Sequence, residues 1–347
     1  MRLLVTFLKI HKGITALLIT LSIVFVFFLF QGWADSIYRG FIFIGVRNVL
    51  DYTIGLLPFP GIYFIVFVVP FFIWWYLRSF KTRRDKLLFF PINLLGWIFS
   101  VFMWLWGFNY QCSSPFPEHD AISLKQEQLI EFGHRTTTNL LEFPDDCFIE
   151  KKIEDSLIHD AVVRFLEQRN MASPGQPRYF EISLNGFMRK NGVAGIYLPF
   201  SGQAHVDASF LCQARTFILA HELAHAYGVS AESDADFVAY MSLVQSGNVD
   251  LKFAAQFELL RSIRSQLYFQ NDSLRIQLDS LQRPSTLALF QRYRENSKLY
   301  PEYFPGLQEK MNDQYLKLMG VEDGVLNYDH FIDMVWESRQ IDHKVSS

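Results

Sequence analysis

Apolar residues crowd the first third of the chain and afterwards thin into helical periodicities. Residues 13–30, GITALLITLSIVFVFFLF, carry no charge over a length close to what a bilayer requires. Two further runs, 62–77 (IYFIVFVVPFFIWWYL) and 87–108 (LLFFPINLLGWIFSVFMWLWGF), repeat the pattern with one proline each, which lipid tolerates where neighbouring helices serve the freed carbonyls. The pattern predicts a three-helix transmembrane region over residues 1–108. A cleaved signal peptide is the alternative for the first run, given Arg2, Lys9 and Lys12, but its apolar core is long and QGWADS is a poor cleavage site. Residues 40–61 are apolar yet carry Arg47 and Asp51, which fits an interfacial or re-entrant helix better than a fourth span.

Positive charge sets the expected orientation. Arg78, Lys81, Arg83, Arg84 and Lys86 lie between the second and third runs, and the N-terminus is basic too, so both should stay in the cytoplasm. Three spans then leave the rest of the chain outside. The expected location is a bacterial inner (cytoplasmic) membrane, multi-pass, with the C-terminal part periplasmic or extracellular.

After a polar linker at 109–120, residues 121–347 read as a globular domain. Helical spacing covers Ala121–Phe143 and Ile153–Gln168, and two β-like pieces follow at 178–186 (RYFEISLNG) and 192–202 (GVAGIYLPFSG). A helix from about Gln213 and a nearly all-helical remainder come next: Ala231–Gln245, Leu251–Leu281, Thr286–Ser297, Gly306–Met319 and Tyr328–Arg339. The expected class is α+β, mainly helical, with a small sheet. A net charge of -3 and no basic stripe beyond the membrane loop exclude a nucleic-acid partner. Of three cysteines, Cys112 and Cys147 could pair in an oxidising compartment, leaving Cys212 free.

The chemistry gathers in FILAHELAHAYGVSAESDADFVAY, residues 217–240. His221 and His225 are one helical turn apart on the same face, so both imidazoles can reach one metal. Glu222 is placed to take a proton from water and pass it to a leaving amine. Zinc suits such a site, being redox-inert and able to keep an open position. Gly228 can end the helix in a left-handed turn, Ser230 can cap the next one, and the reversal lets Glu232 face the histidines as third ligand. Asp236 is then placed to accept the other N–H of a ligand histidine, while Asp234 reads as a solvated charge at a helix start. His205, upstream, suits a loop or capping role better than a metal.

HELAH followed by ESDAD resembles the signature of gluzincin metallopeptidases. The resemblance implies a zincin-like domain with His221, His225 and Glu232 on Zn2+, Glu222 as general base and Asp236 as orienter. The seven-residue step from His225 to Glu232 is shorter than in that group. It approaches the metzincin layout, whose glycine matches Gly228 and whose third-ligand position would be Ala231. With three N-terminal spans, WGFNY leaving the membrane, GIYLPFSGQAHVD before the motif and the compact HELAHAYGVSAESDADF, nearly the full chain is also similar to a bacterial three-span membrane-protein family of unknown function.

Such peptidases align a substrate backbone along an edge strand. Gly195, Ile196 and Tyr197, within AGIYLPFSG, are the expected binding segment, although a simply buried strand reads equally well. Tyr328 is the preferred oxyanion donor, with Tyr227, Tyr240 and His330 as alternatives. The expected function is a membrane-anchored zinc-dependent metalloprotease acting on a peptide or protein substrate. The alternative is a non-catalytic envelope protein that binds a partner through the same domain.

Overall fold

The computed structural model describes residues 11–78, 83–116, 124–144, 146–182, 184, 186–321, 324 and 330–345. The chain forms two compact units. The first takes residues up to Ser113 together with Pro174–Phe180 and Leu198–Gln203, segments that the sequence assigns to the domain at 121–347. The second comprises Ser114–Ser173, Glu181–Tyr197 and Ala204 onward.

In the first unit, helix α1 (Lys12–Leu29) leads through a turn at Gln31–Trp33 into a wide π-type run, Ala34–Ile42, and helix α2 (Phe43–Asp51). Helices α3 (Gly61–Leu77) and α4 (Arg83–Leu105) follow, and a 3₁₀ turn closes at Gly107–Gln111. Helices α1 and α4 approach closely at Gly13 and Gly96, where an added Cβ would meet the opposite backbone. Buried Asn93 of α4 accepts the Gly13 N–H at 2.9 Å, serving a donor that the first turn of a helix leaves over. Large apolar side chains face outward, among them Phe64, Phe67, Trp74 and Trp75 of α3. Among the described residues only α1 is by itself long and apolar enough to cross a bilayer. Ala34–Leu56 and Gly61–Trp75 meet that test together, across a 96° bend, and the apolar part of α4, Phe89–Leu105, is shorter.

The second unit is mainly helical. Helices α5 (Gln126–Leu140) and α6 (Lys151–Glu167) precede strand β1 (Tyr179–Ile182), a short helix α7 (Phe187–Lys190), and strands β2 (Gly195–Leu198) and β3 (Gln203–Asp207), of which Tyr179, Phe180, Leu198 and Gln203 count with the first unit. The sheet order is β1-β3-β2, which leaves β2 on an edge. Sequence reading misses β3 and assigns its His205 to a loop; His205 instead sits, buried, in the central strand. QAHVD hides this role because polar residues alternate with apolar ones while all five are buried.

Helices α8 (Cys212–Ala226) and α9 (Glu232–Gln245) carry the motif, and α10 (Val249–Gln270) packs across both. The expected single helix 251–281 is interrupted at Asn271, whose side chain accepts the Ser273 N–H and starts α11 (Asp272–Asp279). Helices α12 (Pro284–Lys298), α13 (Leu307–Leu318) and α14 (His330–Val345) complete the unit.

Helix α8 is buried on nearly all sides, so its polar groups need internal partners. Arg215 donates through Nε and Nη2 to Glu154 of α6, and Thr216 donates to the other Glu154 oxygen at 2.8 Å. A disulfide joins Cys212, the first residue of α8, to Cys147, with Cα atoms 5.7 Å apart. This corrects the expected Cys112–Cys147 pairing. Cys112 ends the 3₁₀ turn of the first unit, and its thiol points to the Phe108 carbonyl.

One thiol per chain should therefore react with Ellman's reagent in denaturant before reduction, and three afterwards. Because the bridge closes a separation of 65 residues, its reduction should cost about 4 kcal/mol and lower the thermal midpoint by roughly 10 °C.

Candidate metal centre

The site is built from the end of α8, the turn after it and the start of α9. Gly228 takes φ +87°, the left-handed conformation that reverses the chain. Its neighbour Val229 turns its carbonyl back onto the helix, where it accepts from His225 Nδ1 at 2.7 Å. The residue flanking α9 is Ala231 rather than Ser230, with no side-chain cap, and Glu232 is the first helical residue. Asp234 is not solvated: it is buried and accepts the Ser114 hydroxyl at 2.7 Å.

Three donor atoms converge. His221 Nε2 lies 3.0 Å from His225 Nε2, and Glu232 Oε2 lies 3.2 Å from the first and 3.3 Å from the second. Four-coordinate zinc with ligands at about 2.0–2.1 Å separates its donors by about 3.3 Å, so this triangle has the size of one tetrahedral face.

The tautomers follow from the outer partners. His225 Nδ1 faces a carbonyl, which can only accept, so that nitrogen carries the hydrogen. His221 Nδ1 faces Asp236 Oδ1 at 2.7 Å and donates likewise. Both Nε2 lone pairs are thereby directed at one point together with a carboxylate oxygen, an arrangement that repels itself unless a cation or a shared proton lies between. His221, His225 and Glu232 are the described residues placed to hold such an ion.

Glu222 stands beside the triangle without joining it. Burial pushes its carboxyl pKa up against the pull of His221 and His225, and the Tyr197 backbone N–H donates to it. Gly195 of β2 lies so close that an added Cβ would sit 2.6 Å from Glu222 Oε1. Of the expected substrate segment, Gly195 thus borders Glu222, Ile196 is exposed and Tyr197 is buried. Burial also raises Asp236, although His221 opposes the rise. For Glu232 burial works upward too, but the charges and hydrogen bonds of His225 and His221 outweigh it and hold the group low. At His221 burial favours the neutral ring, and Asp236 and Glu232 override it to raise the pKa well above its ordinary value.

Two alternative oxyanion donors are engaged elsewhere. The Tyr227 hydroxyl lies 2.7 Å from His159 Nε2, and the Tyr240 hydroxyl takes hydrogen bonds from Gln256 and Arg339. His330 is the first residue of α14, and Tyr328 lies outside the described residues. Sequence reading overlooks the Val229 carbonyl, a backbone group with no signature in residue identity, and the Ser114 hydroxyl, 120 positions from its acceptor.

Asp236→Asn, which replaces a charged acceptor by a neutral amide, should weaken zinc binding by about 10–100-fold in competition with a chromogenic chelator. Proton and metal compete for the same imidazole nitrogens. With the His221 pKa raised well above its ordinary value, the proton competes to higher pH than it would at an ordinary imidazole, so zinc affinity should keep climbing from pH 6 to 8. A group with the ordinary imidazole value would level off near 6.5.

No curated protein and no solved structure matches this chain. A family model described as a protein of unknown function, DUF3810, matches residues 38–336, most of its length. The chain therefore belongs to the DUF3810 family.

Proposed function

We propose that this chain is a membrane-anchored zinc metallopeptidase. The observation that carries the reading is the triangle of His221, His225 and Glu232 donors, 3.0–3.3 Å on a side, with the carboxylate of Glu222 beside it and uncommitted to it. A purely structural zinc site needs no such extra carboxylate and fills all four positions with protein.

Bound zinc would supply Lewis acidity, lowering the pKa of a water in its open position. Glu222, made more basic by burial, takes the proton as the water oxygen adds to the peptide carbonyl carbon. It returns that proton to the amine nitrogen as the C–N bond breaks. Asp236 and the Val229 carbonyl keep the two rings in the Nδ1–H tautomer. Strand β2, an edge of the sheet with Ile196 exposed, is where an extended peptide would add.

The reading places α1, the bent pair ending in α3, and α4 in a bacterial inner membrane. Basic residues at the N-terminus and at 78–86 remain in the cytoplasm. The second unit then lies on the outer side, where the Cys147–Cys212 disulfide can persist.

Full-length protein in detergent should contain one zinc per chain and cleave members of a mixed peptide library. Glu222→Gln should keep the zinc and lose at least 100-fold in turnover. Undiminished cleavage by that variant, or wild-type protein that binds no zinc when folded, would overturn the proposal.

A further inference from the structure

Arg47 and Asp51 are charges in a largely apolar stretch, and the proposed chemistry leaves them unused. Arg47 is 1% exposed, the largest of the fully buried side chains. Its guanidinium pairs with the Asp51 carboxylate one turn along α2 and also donates to the Gly202 carbonyl at 2.6 Å. Asp51 in turn accepts the Gln176 N–H at 2.9 Å. A charge this deeply buried persists only where its partners are in place.

The partners are not incidental. Gly202 lies in the tight turn between β2 and β3, which is closed by Gly202 and Ser201 N–H groups donating to the Leu198 carbonyl. Gly202 has φ +67°, and a Cβ there would stand 2.8 Å from Arg47 Nη2. Gly175 likewise has φ +72°, and its missing Cβ leaves room for the Asp51 carboxylate. The neighbouring bonds make a clasp: Gln203 accepts the Gly61 N–H at 2.7 Å, and Arg178 donates to the Leu57 carbonyl at 2.9 Å. All of these groups belong to the first unit.

Strand β2 runs without interruption from Gly195 to Leu198. One end opens the turn that Arg47 holds, and the other carries Gly195 and the Tyr197 N–H against Glu222. We propose that Arg47 and Asp51 are positioning residues for the edge strand: by clasping the β2–β3 turn they set where the Tyr197 N–H, and through it the Glu222 carboxylate, stands. This rests on the peptidase reading for its catalytic consequence, whereas the clasp itself is measurable without turnover.

The test uses full-length protein in detergent and three readouts: amide hydrogen exchange over residues 194–203, zinc content, and kcat and KM on a cleaved peptide. In Arg47→Ala, exchange over 194–203 should accelerate at least tenfold while exchange across α8 and α9 and the single zinc are unchanged. Turnover should fall at least tenfold in kcat. Unchanged exchange over 194–203 overturns the clasp, and so does acceleration spread evenly over the chain, which is what general destabilisation produces. Accelerated exchange with kcat unchanged overturns the positioning role. If Arg47→Ala does not accumulate, Asp51→Asn keeps the volume and one acceptor for the Gln176 N–H, and should accelerate the same segment at least threefold. Wild-type protein that cleaves nothing sinks the peptidase reading alone, since the exchange result still decides the clasp.

Discussion

Two imidazole lone pairs and a carboxylate oxygen held within 3.3 Å of one another repel, and the surrounding structure is arranged so that they cannot turn away. Each ring is gripped at its far nitrogen, one by Asp236 and one by the Val229 carbonyl. Rotation of either would strand a buried donor, at about 1–3 kcal/mol each.

The burial of α8 follows from the same demand. A helix that must present His221, Glu222 and His225 in fixed directions gains from having no free face. Its sequence accordingly supplies small residues, Ala214, Ala220, Ala224 and Ala226, where neighbouring helices press close. Two of its polar residues, Arg215 and Thr216, share one carboxylate, Glu154, contributed by α6. Removing that acid would strip the guanidinium of its shortest ion pair and leave it Glu181 at 3.5 Å.

Much of the site was legible because helical spacing fixes side-chain direction. The i, i+4 histidines and the i, i+4 pair Glu232 and Asp236 each had to share a face, and Gly228 marked the reversal between them. The turn's own contribution stayed hidden, since Val229 acts through its carbonyl. Strand β3 escaped notice because QAHVD mixes polar and apolar residues that are all buried in a central strand. The cysteine pairing was not legible, since the bond bridges the approach to α6 and the first residue of α8, 65 positions apart. For the apolar helices, composition exposed their apolar character but not the 96° bend after Leu56, beside which Leu57 and Gly61 bond to residues more than a hundred positions away.

The interval between Arg47 and Gly202, 155 residues, has a meaning for synthesis. At about 5–20 residues per second, a ribosome needs roughly 8–30 s to deliver the second after the first. Throughout that delay the nascent guanidinium lacks the Gly202 carbonyl, while Asp51, its neighbour one turn away, is already present. The first unit therefore matures only after about a third of the second has been translated, although nearly all of its own residues come first.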